Sequence, residues 1–356
     1  MRGLANLMAG NRAAETVAIR LGLGMAAGGA QKRDCVRVDS GLTPRLDAKT
    51  DFGHGPINLG ILVALLSVLL ASIFAGIVST STVASADFVN SDVGARPLAI
   101  GGAFVGVADD ANAVVWNPAG LTQKISFEMT GMINRIYSVE GLRNDYFAVS
   151  KTVRAGKMGV GFAWMRTELM DVYSEDNMLV SVAHEVTRGV SAGATLKRLS
   201  VSAPGYEYYN DPNFKGDDNS WSADASLFYK RGNMRAGFSV RNIVEPELKL
   251  ISTTTAPDKI PREFALGGSY VFRNTMLLTG EVRRKDSVPN YYDSKFTFHG
   301  GTEVWFYDVF ALRAGYDGGR ATVGWGLFVD PVGVDISLLS TRRIGNIYRL
   351  SASLKF

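Results

Sequence analysis

Three histidines, one cysteine and the adjacent acids Asp109-Asp110 carry the most obvious chemistry in this 356-residue chain. A hydrolase needs a nucleophile with a base in reach, and a strand-borne serine nucleophile lies in G-x-S-x-G. Neither His184 nor His299 lies in such a motif. His184 falls in the apolar register of an alternating run and His299 in the polar register of another, positions where a lone histidine is ordinarily structural. Asp109-Asp110 has the charge for a cation, but neighbouring side chains diverge on extended backbone. Capping a turn or pairing with arginines is the better expectation for both. No metal-ligand or phosphate-loop spacing occurs. These residues point to a protein that is not an enzyme and has no catalytic residue, cofactor or metal.

Charge narrows the class further. The formal net charge is +4, but residues 1–86 hold 8 of the 38 Lys/Arg and 5 of the 34 Asp/Glu. Residues 87–356 therefore keep 30 against 29, with no concentrated basic face for nucleic acid. The single cysteine, Cys35, also lies in that first stretch. Hydrophobic residues at 46% exclude a disordered chain, and 39 glycines with 10% aromatics lean toward β-structure.

Residues 59–78 are apolar or small and uncharged, and Ala84-Ser85-Ala86 follows just before Asp87. An apolar run with an A-x-A end reads as an export signal, residues 56–86, cleaved between Ala86 and Asp87 with Ala84 and Ala86 as its small residues. The competing reading is an uncleaved membrane helix, for which about 20 residues are long enough. Residues 1–55 are Gly/Ala/Arg-rich and precede the signal. They read as a start placed too far upstream or as an extension, and stay outside the fold argument.

From residue 125 the period is two. In the last run Tyr348, Leu350, Ala352, Leu354 and Phe356 face one way, and Arg349, Ser351, Ser353 and Lys355 the other. Fourteen such runs occur, at 125–136, 143–153, 157–166, 177–186, 189–199, 220–230, 233–242, 262–272, 275–284, 295–306, 308–316, 320–329, 332–340 and 346–356. Alternation at this period is a strand with one apolar and one polar face. A length of about 10 residues suits a tilted strand crossing a bilayer. Connections at 154–156, 187–188, 231–232, 273–274, 307 and 330–331 are short. Between them lie longer ones, notably 167–176, 200–219, 243–261 and 285–294. That rhythm predicts an all-β transmembrane antiparallel barrel (residues 125–356) in the outer membrane, short turns and both termini on the periplasmic side. Charged residues must then face the lumen, because a cation facing lipid at mid-depth costs about 2–4 kcal/mol.

Residues 87–124 lack clean alternation and are rich in small residues, with a tight turn at Asn117-Pro118. Such a stretch fits inside a fourteen-stranded barrel as a plug, or hangs outside as a tail. The run Gly94-Ala95-Arg96-Pro97-Leu98-Ala99 through Ala111-Asn112-Ala113-Val114-Val115-Trp116-Asn117-Pro118-Ala119-Gly120-Leu121 resembles the N-terminal signature of PorV/PorQ-type outer-membrane proteins, within the FadL-like group. The likeness is dense over about 28 residues and elsewhere extends to architecture alone. It implies an N-terminal hatch in which Asp109, Asp110, Asn112, Trp116, Asn117, Pro118, Ala119 and Gly120 stand at the gating positions. It also implies either of two roles: passage of long-chain fatty acids or other hydrophobic molecules, or handling of cargo and translocon proteins in type IX secretion. Outer-membrane proteins in general imply two further partners, membrane lipid and the barrel-assembly machinery, the latter reading Tyr348, Leu350, Leu354 and Phe356. In the loop 200–219, Tyr206, Tyr208 and Tyr209 offer rings for a hydrophobic ligand or a protein, or belong to an aromatic girdle.

Overall fold

The computed structural model describes residues 92–356 apart from 124–125, 136–140, 154–156, 171, 205–211, 255–256, 288–293 and 342–344. The expected export segment with Ala84 and Ala86, and loop residues Tyr206, Tyr208 and Tyr209, lie outside the described residues.

Each of the fourteen alternating runs forms one strand of a closed barrel: β1 (Phe127–Arg135), β2 (Leu142–Val153), β3 (Met158–Leu169), β4 (Tyr173–Thr187), β5 (Val190–Ser202), β6 (Asp217–Arg231), β7 (Met234–Arg241), β10 (Glu263–Phe272), β11 (Met276–Lys285), β12 (Lys295–Phe306), β13 (Phe310–Asp317), β14 (Arg320–Val329), β15 (Val332–Thr341) and β16 (Gly345–Lys355). Neighbours pair antiparallel, and β1 pairs with β16, so no edge is left to hydrogen-bond elsewhere. The two remaining strands, β8 (Glu247–Leu248) and β9 (Asp258–Lys259), form a small hairpin inside the connection from β7 to β10.

The loop rhythm differs from the expectation in one place. Residues 167–176 are mostly strand: β3 runs to Leu169 and β4 starts at Tyr173, leaving three residues between them. Polar groups line both faces there, so hydropathy stops alternating while pairing continues. Arg143 bonds Glu168 at 2.9 Å across β2 and β3, and Trp164 Nε1 donates to Asp176 at 3.1 Å across β3 and β4.

The outer surface is apolar, with Val180, Val182, Leu196, Leu227, Leu266 and Leu350 among its exposed side chains. Aromatic residues gather at its two ends. Tyr229, Tyr270, Phe272, Tyr307 and Phe356 lie toward the short turns, and Trp221, Phe296, Tyr316 and Tyr348 toward the longer loops. This is the arrangement that lipid and its two interfaces require.

The inner wall has two characters. On β1–β4 it carries Met132, Tyr146, Ala148, Ala163, Met165 and Leu179; on β7 to β16 it carries Arg241, Glu263, Glu281, Arg283, His299, Glu303, Arg313 and Arg349. The charged lumen expected from the sequence therefore describes β7 to β16 best, while on β1–β4 the buried acid Glu128 stands among mostly apolar and uncharged side chains. Residues 92–123 lie between the two. They form helix α1 (Ala95–Ala99), helix α2 (Ala113–Trp116) and a 3-10 helix (Pro118–Thr122). Helix α1 touches β13–β16, α2 touches β2–β4, and the 3-10 helix touches β2–β6. Val105 and Gly106 reach β10 and β11 through Ser269 and Glu281. A segment that touches inner faces around the ring is enclosed by it. Its apolar residues Ile100, Phe104, Val114, Trp116 and Leu121 form the hydrophobic core with Met132, Tyr146, Ala163 and Leu179.

Candidate functional site

The candidate site is the contact between residues 92–123 and the lumen wall. Two devices seat this irregular segment. The first is a bed of glycines. A Cβ added at Gly237 would overlap the carbonyl oxygen of Val105, and one at Gly193 would overlap the backbone nitrogen of Ala119. Only a residue without a side chain lets two backbones approach so closely.

The second device supplies hydrogen bonds that so irregular a backbone cannot make for itself. Ser351 Oγ accepts from Ala95 N at 2.9 Å, Glu281 from Val105 N at 2.8 Å and Ser226 Oγ from Ala119 N at 3.0 Å. Thr322 donates to Ala99 O at 3.0 Å, Thr279 to Ala103 O at 2.7 Å, Ser269 to Gly106 O at 2.8 Å and Ser181 to Val114 O at 3.1 Å.

Asn117 is fully buried and uses both ends of its amide. Its Nδ2 donates to Val105 O at 2.9 Å and to Leu227 O at 3.2 Å, while Oδ1 accepts from Ala119 N at 3.1 Å and caps the 3-10 helix. Pro118 opens that helix, where its missing N–H costs nothing. Gly120 packs on Ala108, with no room for a Cβ. Two guanidinium groups lie near the Trp116 ring, Arg283 at 4.8 Å and Arg241 at 5.7 Å from its centre, and its Nε1 donates to Val93 O at 3.0 Å. Asn112 donates from its backbone and its side chain to Asp110 Oδ1, both at 2.9 Å.

Asp109 and Asp110 do not diverge, which corrects the expectation from extended backbone. The chain turns there, with Ala108 at φ 33, and both carboxylates meet Arg96 Nη1, at 2.6 and 2.7 Å. Both do pair with arginine. Asp109 also bonds Arg235 at 3.0 Å. Arg96 reaches Glu303 at 2.8 Å, and Glu303 is shared with Arg313 at 2.6 Å, which goes on to Asp335 at 2.7 Å. A second cluster joins Asp92 to Arg283 at 3.1 Å, Arg283 to Glu281 at 2.6 Å, and Arg241 to Glu263. Burial raises the Asp92 carboxyl pKa, but Arg283 and Arg241 outweigh it and hold the group well below the usual carboxylate range. For Arg96 burial lowers the pKa, and Asp109, Glu303 and Asp110 outweigh that to raise it.

Sequence reasoning missed Arg96, Asp92 and their strand partners as site residues. Their one visible signal was charge at inward positions of apolar strands. His299 accepts or donates within a polar group, with Nδ1 at 3.0 Å from Gly101 O and 3.1 Å from Asp317, whereas His184 lies on the outer face. Phe356 closes the seam: its N–H donates to Phe127 O and its carbonyl accepts from Phe127 N, both at 2.9 Å. Tyr348 and Leu350 lie on the exposed outer face of β16, with Leu354 half-buried nearer its end. Among the described residues, no cluster of three or more His, Cys, Asp or Glu is arranged to hold a metal.

Comparison with solved structures places the fold. The CymD monoaromatic hydrocarbon channel aligns with a TM-score of 0.53 at 14% identity over 74% of this chain and 96% of that one. The toluene transporter TodX of Pseudomonas putida gives 0.52 at 12%, covering 74% and 97%. A FadL homologue from Pseudomonas aeruginosa gives 0.54 at 12%, covering 72% and 96%. Likeness at this identity shows the barrel architecture. No curated protein matches the chain. Residues 111–342 match the family described as type IX secretion system membrane protein PorP/SprF. That is a different assignment from the PorV/PorQ type which residues 94–121 resemble, and most of that motif lies upstream of the match. With its fourteen closed strands and most of its length matched, the chain belongs to the PorP/SprF family of type IX secretion outer-membrane barrels.

Proposed function

We propose that this barrel is a plugged platform that receives type IX cargo or translocon proteins at the outer membrane, its short turns and termini on the periplasmic side. One observation carries the reading: the backbone of residues 92–123 is hydrogen-bonded by side chains from strands around the ring. A diffusion pore gains nothing from an inner segment bonded to its wall at so many points. A protein that must keep its membrane sealed while engaging large partners gains much. In this reading Trp116, Asn117, Pro118, Ala119 and Gly120 lock the hatch, and Asp109, Asp110 and Asn112 join it to Arg96.

A second reading, passage of hydrophobic molecules, draws support from the apolar cluster of Leu199, Val201, Leu248 and Ile260 under the longer loops. The two separate in planar bilayers and by thiol labelling. The platform should conduct ions poorly until residues 92–120 are deleted. With residues 1–86 removed, Ala113→Cys introduces the sole thiol, at a position with no exposed surface. It should resist a bulky maleimide until a cargo sorting domain from the same genome is added. Labelling triggered by fatty acid and not by the sorting domain would favour transport. Rapid labelling in the resting barrel would remove the hatch from both readings.

A further inference from the structure

The short turns hold a concentration of charge that the near-neutral sum over residues 87–356 concealed. Those joining β2–β3, β4–β5, β6–β7 and β10–β11 follow one another around the ring. Among the described residues they present six exposed cations: Lys151 and Lys157 at the first, Arg188 at the second, Lys230 and Arg231 at the third, and Arg273 at the fourth. Among the described residues Glu185 is the one acid beside them; it is half-buried and accepts from Gly189 N at 3.0 Å. The next two turns reverse the sign, with exposed Asp308 between β12 and β13 and exposed Asp330 between β14 and β15. Seven strand spacings separate β2 from β11, and at about 4.8 Å each the basic arc covers about 34 Å of the rim. Lys230 and Arg231 follow Tyr229, and Arg273 follows Phe272, nearer the turn tips than these aromatic residues of the lipid interface.

Lipid headgroups and acidic proteins both attract cations to such a rim. Lipid surrounds a barrel on every side, and gives no reason for cations on one arc and acids on the next. A body that docks in one orientation does, because like charges brought together exclude the reversed approach. We propose that the basic arc is a docking surface for a soluble protein with an acidic face, and that Asp308 and Asp330 orient that protein by repulsion. Exposed ion pairs are individually weak, so the six cations act together and the contact is sensitive to salt. The proposal rests on the platform reading for the side of the membrane, and gives the turn end of that platform a partner of defined charge.

The barrel in a nanodisc of zwitterionic lipid leaves both ends open to solution, and fluorescently labelled poly-L-glutamate serves as the acidic probe. It should bind saturably at low salt. Raising ionic strength from about 0.01 to about 0.15 M shortens the screening length from about 30 to about 8 Å and should remove most of the binding. Arg188→Glu, Arg231→Glu and Arg273→Glu combined should weaken binding at least about tenfold. Lys215→Glu, Arg284→Glu and Lys295→Glu combined, exposed cations at the long-loop end, should leave it unchanged. Phosphatidylglycerol retained per purified barrel should be the same in the parent and the turn variant. Equal losses from the two triple variants would reduce the attraction to net charge alone, and less phosphatidylglycerol on the turn variant would give the arc to lipid headgroups. Either result, or no saturable binding of polyglutamate, overturns the proposal. Should the turn variant fail to fold, the same three positions changed to Gln carry the comparison. Failure here leaves the low conductance and the protected thiol of Ala113→Cys as they are, so it is distinct from failure of the platform reading.

Discussion

At the scale of the residue, Arg96 and Asp92 show how a short segment is held by charge in a confined space. Arg96 has 11% of its side chain exposed and meets three carboxylates. Replacing it with Met leaves those carboxylates with one cation fewer, and removing one partner of a buried pair costs about 3–5 kcal/mol. Arg96→Met is therefore expected to lower the temperature at which the inner segment becomes protease-sensitive, with the barrel itself still heat-modifiable. Asp92 makes a pH-dependent contribution. Its folded pKa is depressed, so its stabilisation is fully present above the unfolded value of about 3.9 and fades as pH falls below it. Hydrogen exchange of residues 93–105 should accelerate on acidification through that range. Asp92→Asn should accelerate it at neutral pH and reduce the further change. Asp92 keeps a fifth of its side chain exposed, so the expected effect is about 1–3 kcal/mol, below that of a fully buried pair.

At the scale of the element, the inward glycines make a sharper prediction. Gly237→Val puts a branched side chain where Val105 O now lies, and neither backbone can yield without moving the segment. The expected result is a folded barrel with raised single-channel conductance. Conductance unchanged from the parent would mean that the segment does not control the lumen. The strands themselves were legible because lipid outside and polar protein inside impose a period of two over most of each strand. Legibility ended where that contrast ends. The ends of β3 and β4 are polar on both faces, and alternation there has nothing to report. Along β2, Tyr146 and Ala148 face in while Phe147 and Val149 face out, so an apolar interior next to lipid left one unbroken apolar run. The charge clusters were illegible for a different reason. Arg96 and Glu303 are 207 residues apart and Asp109 and Arg235 126 apart, and no local spacing announces such pairs. Asn117-Pro118 stood out in the sequence through its turn chemistry and its resemblance to a family signature, and it lies at the centre of the hydrogen-bonded contact.

At the scale of the whole molecule, the last residue extends the closing seam, in which Glu128–Arg135 pair with Tyr348–Lys355. Phe356 exchanges two backbone hydrogen bonds with Phe127 and places its ring 6.3 Å from that of Phe127. Deleting it should reduce the yield of heat-modifiable barrel in the outer membrane, and an unchanged yield would argue against an assembly role for this terminus. The placement of residues 92–123 has a consequence in time. They leave the ribosome before the strands, yet Ala95 is bonded by Ser351 and Ala99 by Thr322, partners 256 and 223 residues later. Contacts of such sequence separation form late, because a long loop must close before they can be made. Residues 92–123, made before the strands, must therefore wait, unsatisfied, for the last of them. A chain lacking β15 and β16 should leave it open to protease, and in refolding the burial of Trp116 should coincide with the joining of β1 to β16. Filling the ring and shutting it are then one event, and a barrel that fails to finish leaves its own filling exposed.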